Sequence, residues 1–377
     1  KYFPLFDPAS GKLTHQFLIV SNMQVNDPSN IVKGNERVVR PRLADAQFFY
    51  DTDRKTSLES RVEGLASRVY HNKLGSQRER IERVRAIARH VAGQIGSNPD
   101  DADRAALLAK ADLNSNMVGE FPELQGIMGA YYARADNEPT PVVKAISDQY
   151  QIRLESAVNT ESEAAVALFI AERAETLIGI WGIGLVPSGE RDPYGLRRAA
   201  LGLISAFEQL AAGHYLKAGQ ASRLTITDLL DFARGTFTDA PIKDDTVTEV
   251  RHFIYERYRN LLATEFDRGV IDAVLALEPP LHEVHARIQA CTAFAGLPQA
   301  QSLASANKRI VNLLKKATVN DQAVDPRLLE EPAEQALENL INELEPQAHQ
   351  QFKDGDFRGN LTTLSGVRDA VDQFFSN

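Results

Sequence analysis

Metal binding is the first chemistry to test, because histidine and cysteine are common ligands of transition metals. The eight histidines are scattered, and only His282 and His285 lie one helical turn apart. No third ligand stands at a suitable spacing, so we interpret the pair as solvated rather than metal-binding. The single cysteine, Cys291, can form neither an internal disulfide nor a thiolate cluster, which is typical of a protein from a reducing compartment.

Gly179, Gly182 and Gly184 are spaced like the glycines of a nucleotide-binding loop. A phosphate-cradling loop needs a strand before it and a helix N-terminus after it, so that backbone N–H groups point at the phosphate. Here an apolar helical segment precedes the glycines, and 187–189 (PSG) follows them. We therefore predict a helix end that packs closely on a neighbour and is followed by a turn.

Two charged residues lie in phase with apolar positions of predicted helices. Asp112 follows Leu108 at a spacing of four, and Arg173 shares its helical face with Ile170 and Leu177. An ionised carboxylate in a core must be paired or neutralised. We hypothesise a buried ion pair between Asp112 and Arg173. The alternative is that both side chains reach solvent from the edges of their helices.

Two basic clusters could contact phosphate. In segment 68–89, seven Lys or Arg residues accompany two Glu, and Arg78, Arg85 and Arg89 share much of one exposed helical side. Concentrated positive charge on one helix face suits a polynucleotide backbone, although an ordinary solvated face is the alternative. The second cluster is the polar side of a helix near 303–314 and comprises Asn307, Lys308, Arg309, Asn312, Lys315 and Lys316.

The elements that carry these residues change type near residue 58. Before it, short β-prone runs at 17–20, 38–39 and 48–50 are separated by turn-forming residues. After it, apolar residues recur at spacings of three and four, which predicts helices to the end of the chain. The fold class we predict is mainly α with a short β-containing N-terminal part.

Several residues mark the expected helix starts. Ser76 with Glu79 and Thr246 with Glu249 have the spacing of capping boxes. The pairs Thr140-Pro141, Asp192-Pro193 and Pro279-Pro280 are further start signals.

The composition limits the class of protein. The 377 residues carry 42 Lys and Arg against 51 Asp and Glu, a net charge of -9, and 43% are hydrophobic, which excludes wholesale disorder. No run of eighteen apolar residues exists, which excludes a spanning helix. Most of the net negative charge lies after residue 320. Because the chain opens without Met and stops within a helical pattern, we expect a piece of a longer protein.

Several stretches resemble the β subunit of the bacterial heterotetrameric glycyl-tRNA synthetase, and they occur in that family's order along the whole chain. These stretches are 34–38 (GNERV), 40–46 (RPRLADA), 73–75 (KLG), 110–113 (KADL), 117–129 (MVGEFPELQGIMG), 192–200 (DPYGLRRAA) and 306–310 (ANKRI).

The resemblance implies a division of labour between two subunits. In this family a separate α subunit activates glycine with ATP and Mg²⁺, and the β subunit holds tRNA(Gly) for aminoacylation in a cytoplasmic α2β2 assembly. For this chain it implies no catalytic residue, no cofactor and no membrane partner.

The resemblance also implies a domain division. Residues 1–57 would be the remnant of an upstream mixed α/β domain, and 58–232 an HD-like helical domain. Residues 233–299 would be a linker and helical connecting region. Residues 300–377 would be a truncated helical domain that resembles an anticodon-binding domain.

In working HD phosphohydrolases, His and Asp ligands hold a metal. Here Ala111 stands where the His of the HD pair would be, and Glu172-Arg173-Ala174-Glu175 replaces the family's more usual Asp-Lys-Leu-Asp. The resemblance therefore implies a structural or RNA-facing role, without a metal, for Asp112, Glu172, Arg173 and Glu175.

Two groups of residues are candidate tRNA contacts by this resemblance. The basic helix at 307–316 would contact the anticodon stem or loop. Asn35, Arg37, Arg40 and Arg42 would serve either the tRNA acceptor end or the subunit contact, and both stay open. The other readings of the chain are a divergent HD-type phosphohydrolase and an architectural module that docks on the α subunit.

Overall fold

The computed structural model describes residues 2–315, 324 and 326–376. The predicted mainly α fold is confirmed, with sixteen α-helices and two small two-stranded sheets among these residues. The chain forms two compact units, Lys1–Lys55 and Thr56–Asn377. The further division at residues 232 and 299 stays a prediction.

The first unit contains one hairpin and one long helix. Strands β1 (Tyr2–Phe6) and β2 (Leu13–Ile19) pair antiparallel, which confirms a strand at the 17–20 run. Helix α1 (Ser29–Asp53) contains both other β-prone runs, so the strands predicted at 38–39 and 48–50 are wrong. Two or three β-favouring residues are overridden by the Arg, Leu, Ala and Gln residues around them, which are better helix formers.

In the second unit, two short 3-10 helices, Glu59–Arg61 and Glu63–Ser67, precede a short hairpin of β3 (Val69–His71) and β4 (Gly75–Ser76). Its first eight helices are α2 (Gln77–Ile95), α3 (Pro99–Leu108), α4 (Asn116–Glu120), α5 (Ile127–Ala135), α6 (Thr140–Asp148), α7 (Glu163–Gly182), α8 (Leu196–Ala212) and α9 (Ile226–Gly235). The following helices are α10 (Thr246–Leu262), α11 (Arg268–Leu275), α12 (Leu281–Ala295), α13 (Pro298–Leu314), α14 (Pro332–Lys353), α15 (Phe357–Leu364) and α16 (Arg368–Phe374).

Helix α7 is the centre of this unit. It is apolar on nearly all sides, and α2, α3, α6, α8, α9 and α10 pack around it. Leu168, Phe169, Ile170 and Leu177 are all fully buried. A helix that is hydrophobic all round belongs in a core, so α7 fixes the positions of its neighbours. No helix in the described part of the chain is long and apolar enough to cross a membrane.

Local signals placed several helix starts correctly. The Ser76 capping box is present at the start of α2. Helix α6 begins at Thr140, directly before Pro141, and α12 begins at Leu281, directly after Pro280. Asp192 accepts the backbone N–H groups of the first two residues of α8.

The capping box predicted at Thr246 and Glu249 is wrong, because both side chains have other partners. Thr246 Oγ1 donates to the Lys243 carbonyl, and Glu249 Oε2 accepts the indole N–H of Trp181 at 2.7 Å.

The glycines of the α7 end confirm the predicted close packing. A Cβ on Gly179 would lie 2.9 Å from Cζ of Phe237, and one on Gly182 would lie 2.7 Å from Cγ2 of Ile242. Gly184 has φ +90° and lies in the turn that follows α7. The segment after α9 therefore approaches α7 at positions where a side chain would collide with it.

The close approach predicts opposite effects for two helical glycine-to-alanine substitutions. Gly182→Ala should lower the free energy of unfolding by about 1–3 kcal/mol, because its methyl group meets the branched side chain of Ile242. Gly93→Ala in α2 has no heavy atom within 4 Å of the new Cβ and should raise stability by about 0.5–1 kcal/mol. Urea unfolding of both variants measures the difference, and equal effects would contradict the close packing.

Candidate functional site

Two glutamates of α7 form the centre of a buried ion network. Glu175, which is 0% exposed, accepts from Nε of Arg80 and Nη2 of Arg83, both at 2.9 Å. Glu172 accepts from Nη2 of Arg80 at 2.8 Å and lies 3.4 Å from Nζ of Lys110. The network therefore joins α2 and the turn after α3 to the central helix.

The network holds its groups in their charged forms. Burial opposes the charge of Glu172, but Arg80 and Lys110 outweigh it and lower the pKa of Glu172 to about 2. The pKa of Arg80 is raised well above its ordinary value, against the effect of burial, by Glu172 and Glu175. The Arg80 guanidinium also lies 4.7 Å from the ring centroid of Tyr70, whose pKa is raised by burial.

Lys110 is oriented by an amide and an aromatic ring. Its Nζ donates to Oε1 of Gln149 at 2.7 Å and lies 4.0 Å from the ring centroid of Tyr150. Gln149 in turn donates from Nε2 to the carbonyls of Ala109 and Ile146 at 2.8 and 2.9 Å. Because two backbone carbonyls accept from the Gln149 amide nitrogen, the orientation of this amide is fixed and its oxygen accepts from the Lys110 ammonium.

Asp112 is buried as predicted, but it stands in a turn rather than in a helix. Helix α3 ends at Leu108, and Asp112 belongs to the 3-10 turn Ala111–Asn114, so the predicted shared helix is wrong. Its Oδ2 accepts the backbone N–H groups of Gly126 at 2.6 Å and Gly129 at 3.0 Å. Burial raises the pKa of Asp112, and these hydrogen bonds work against that rise.

The hypothesised ion pair between Asp112 and Arg173 is wrong. Arg173 donates to the carbonyls of Phe169 and Gln151, and its guanidinium carbon lies 3.1 Å from the ring centroid of Phe169. Gly202 of α8 leaves space for this guanidinium. Burial lowers the pKa of Arg173 to about 9, and the charge of Glu172 offsets only part of that effect.

The residues at the degenerate HD positions do not fit a divalent metal. Glu172 is committed to two cations, and Asp112 is committed to two backbone amides. Among the described residues, no three His, Cys, Asp or Glu side chains are grouped so that they could hold a metal. A metal-dependent hydrolytic reading of the chain is not supported.

The histidine pair of α12 differs from the expected solvated pair. His282 is buried, which lowers its pKa, whereas His285 is partly exposed and contacts Gln289 at 3.0 Å.

The basic side of α2 is matched by carboxylates. Arg85 forms two hydrogen bonds to Asp103, at 3.0 and 2.9 Å, and Arg89 pairs with Asp100 at 2.8 Å. Arg78 pairs with Glu82. The predicted RNA contacts at these three arginines stay a prediction, and a phosphate would have to compete with carboxylates already in place.

The second basic cluster lies on α13. Asn307, Lys308, Asn312 and Lys315 are exposed, and neither lysine pairs with a carboxylate within the described ranges. Exposed Arg309 pairs with Asp372 of α16 at 2.8 Å. Lys316 lies outside the described residues.

Helix α1 carries a third basic face. Lys33, Arg37 and Arg40 follow at spacings of four and three and border a groove of about 640 Å³, which Glu36 also lines. In residues 2–55, which the structure describes without a gap, none of the three forms an ion pair. Asn35 accepts from the Tyr2 hydroxyl at 3.1 Å, and Arg42 is exposed on the same helix.

Four members of the buried network were not predicted from the sequence: Arg80, Arg83, Lys110 and Gln149. A signal for Arg80 was available, because it precedes the buried Val84, Ile87 and Val91 at helical spacings of four, seven and eleven. Lys110 and Gln149 lie outside regular helices, and no periodicity indicated them.

Neutralising one buried carboxylate should cost far more stability than neutralising an exposed one. Glu175→Gln leaves Arg83 and Arg80 with unbalanced buried charge and should lower the free energy of unfolding by about 3–5 kcal/mol. Glu82→Gln on the exposed side of α2 should cost less than about 1 kcal/mol. Urea unfolding at neutral pH compares the two variants, and similar small losses would refute a structural role for the network.

Comparison with known proteins gives the family. Residues 1–276 match the family profile described as glycyl-tRNA synthetase beta subunit. The chain is 46% identical over 376 residues to the glycine--tRNA ligase beta subunit of Neisseria gonorrhoeae and covers 53% of that protein. It is 49% identical over 381 residues to the beta subunit of Paracidovorax citrulli and covers 52% of it.

The matches cover all of this chain, whereas the chain spans about half the length of these relatives. The order of the matching stretches, the mainly α fold and the sequence identity all indicate the same family. The chain belongs to the glycyl-tRNA synthetase beta subunit family.

Proposed function

We propose that this chain is a tRNA-binding, non-catalytic part of the β subunit of a glycine--tRNA ligase. It holds tRNA(Gly) while a separate α subunit, which uses ATP and Mg²⁺, attaches glycine in an α2β2 assembly. Membership of the family supports this role, as does the commitment of the buried charges to one another.

The observation that carries the proposal is the basic face of α1. Lys33, Arg37 and Arg40 present three positive charges along one helical side, beside a groove that Glu36 also lines, and within residues 2–55 none of the three cations forms an ion pair. The three cations outnumber the one carboxylate of the groove, and a phosphate backbone would supply the remaining negative charge. Arg78 and Arg85 on α2 differ, because each of them already has a carboxylate partner.

Helix α13 supplies a second contact in this proposal. Lys308 and Lys315 are exposed, and the amides of Asn307 and Asn312 lie on the same helix. Lysines suit phosphates, whereas amides suit the edges of unpaired bases, so this helix fits an anticodon stem or loop. The acidic C-terminal region pairs with it through Arg309 and Asp372, which leaves the lysines as the phosphate contacts.

The salt dependence of tRNA binding tests the proposal. If the chain contacts about six phosphates, its affinity should fall about a thousandfold between about 50 and 200 mM salt. The triple variant Lys33→Gln, Arg37→Gln and Arg40→Gln should reduce the slope of log affinity against log salt by about three, one for each lost contact. Fluorescence anisotropy with labelled tRNA(Gly) measures both quantities.

A matched control removes the same charge elsewhere. Arg251, Arg259 and Arg268 are partly or fully exposed, and they lie on α10 and α11, outside the proposed contacts. Their replacement by Gln should leave the slope unchanged. A wild-type affinity that is independent of salt, or equal slopes for the two triple variants, would contradict the proposal.

A further inference from the structure

A small pocket lies beside the ion network, between the end of α6, the middle of α7 and the start of α8. Its volume is about 260 Å³. Its lining brings together three cations, one carboxylate and two aromatic rings, which are Lys110, Arg173, Arg198, Glu172, Tyr150 and Tyr194.

The pocket has more positive than negative charge. Glu172, its only lining carboxylate among the described residues, is already held by Arg80 at 2.8 Å and Lys110 at 3.4 Å. Arg173 donates to backbone carbonyls, and Arg198 has no carboxylate partner in the described part of the chain. Two guanidinium groups therefore remain for an anion from outside, and guanidinium groups bind phosphate well.

The wall of the pocket offers aromatic surface to solvent. Tyr194 is 41% exposed and Tyr150 is 40% exposed. Tyr194 meets His71 edge to face, with ring centroids 6.1 Å apart, which restrains its ring from one side. Lys110 covers one face of Tyr150 at 4.0 Å, so Tyr194 is the better platform for a stacked base.

We propose that this pocket binds one unpaired nucleotide of RNA, with its phosphate between Arg173 and Arg198 and its base stacked on Tyr194. Phosphate contacts next to an exposed ring are the combination by which proteins hold unstacked nucleotides. The small volume admits a single nucleotide and excludes a helix. The inference rests on the proposed function, since it names tRNA as the RNA and adds a contact apart from α1 and α13.

Binding of a short oligonucleotide by the whole chain tests the pocket separately from the basic helices. The probe is a fluorescein-labelled single-stranded RNA heptamer, compared with the same heptamer annealed to its complement. Tyr194→Ala and Arg198→Ala should each weaken binding of the single strand about tenfold. Tyr194→Phe keeps the ring and should stay within about twofold of the wild type.

Arg191→Ala is the matched charge control. Arg191 is exposed in the loop before α8, which also carries Tyr194, and it does not line the pocket. It should bind the heptamer like the wild type, and thermal melting should show all four variants folded.

Each alternative result has a definite meaning. The proposed nucleotide pocket would be contradicted by any of three results. These are equal losses of heptamer affinity in Arg198→Ala and Arg191→Ala, unchanged heptamer affinity in Tyr194→Ala, and no binding of the heptamer by the wild type. If tRNA binding then still depended on Lys33, Arg37 and Arg40, the proposed function would stand without the pocket. If heptamer binding required Tyr194 but tRNA binding did not depend on Lys33, Arg37 and Arg40, the proposed role of α1 would be contradicted instead.

Discussion

The pairing of two carboxylates of α7 with three surrounding cations is the constraint on which the second unit depends. Glu172 and Glu175 lie on a mostly apolar helix, and both are buried. Their burial costs several kcal/mol for each ion, and it is offset only when close, hydrogen-bonded cations are present. Arg80 supplies such contacts to both carboxylates, so α2 can pack on α7 in one register only.

This network also determines what the site can do. Side chains that would be metal ligands in a hydrolytic enzyme are engaged here by arginine, lysine and backbone amides. Charge that is satisfied internally makes such a network rigid. The charges proposed to contact a polynucleotide lie on α1 and α13 and at the small pocket. The small pocket is the place where the network and a proposed RNA contact meet, because Lys110 and Glu172 also line it.

The parts of the fold that depend on neighbouring residues could be predicted from the sequence. Ser76, Pro141 and Pro280 act within one helical turn. The glycines at the end of α7 lack a Cβ, which indicates close packing without knowledge of the neighbouring segment. The strands predicted inside α1 failed because two or three β-favouring residues were weighed without the nine Ala, Leu, Arg, Lys, Gln and Glu residues of the same helix, which favour helix.

The partners of buried charges could not be predicted in the same way. Asp112 was recognised as buried, yet its partners are the backbone amides of Gly126 and Gly129, fourteen and seventeen residues further along the chain. Whether an arginine or a backbone amide becomes the partner of a buried carboxylate depends on where a turn lies in the folded chain. Hydrophobic periodicity does not give that position. Arg85 shows the same limit at the surface, because the sequence could not show that Asp103 faces it.

A double-mutant cycle between Arg80 and Glu172 tests the central claim most directly. The variants Arg80→Met, Glu172→Gln and the combination of both are compared with the wild type by urea unfolding at neutral pH. If the network joins α2 to α7, the coupling energy should be about 1.5–3 kcal/mol, because each single change leaves a buried charge unbalanced. A coupling energy below about 0.5 kcal/mol would show that the two side chains act independently and would contradict the account.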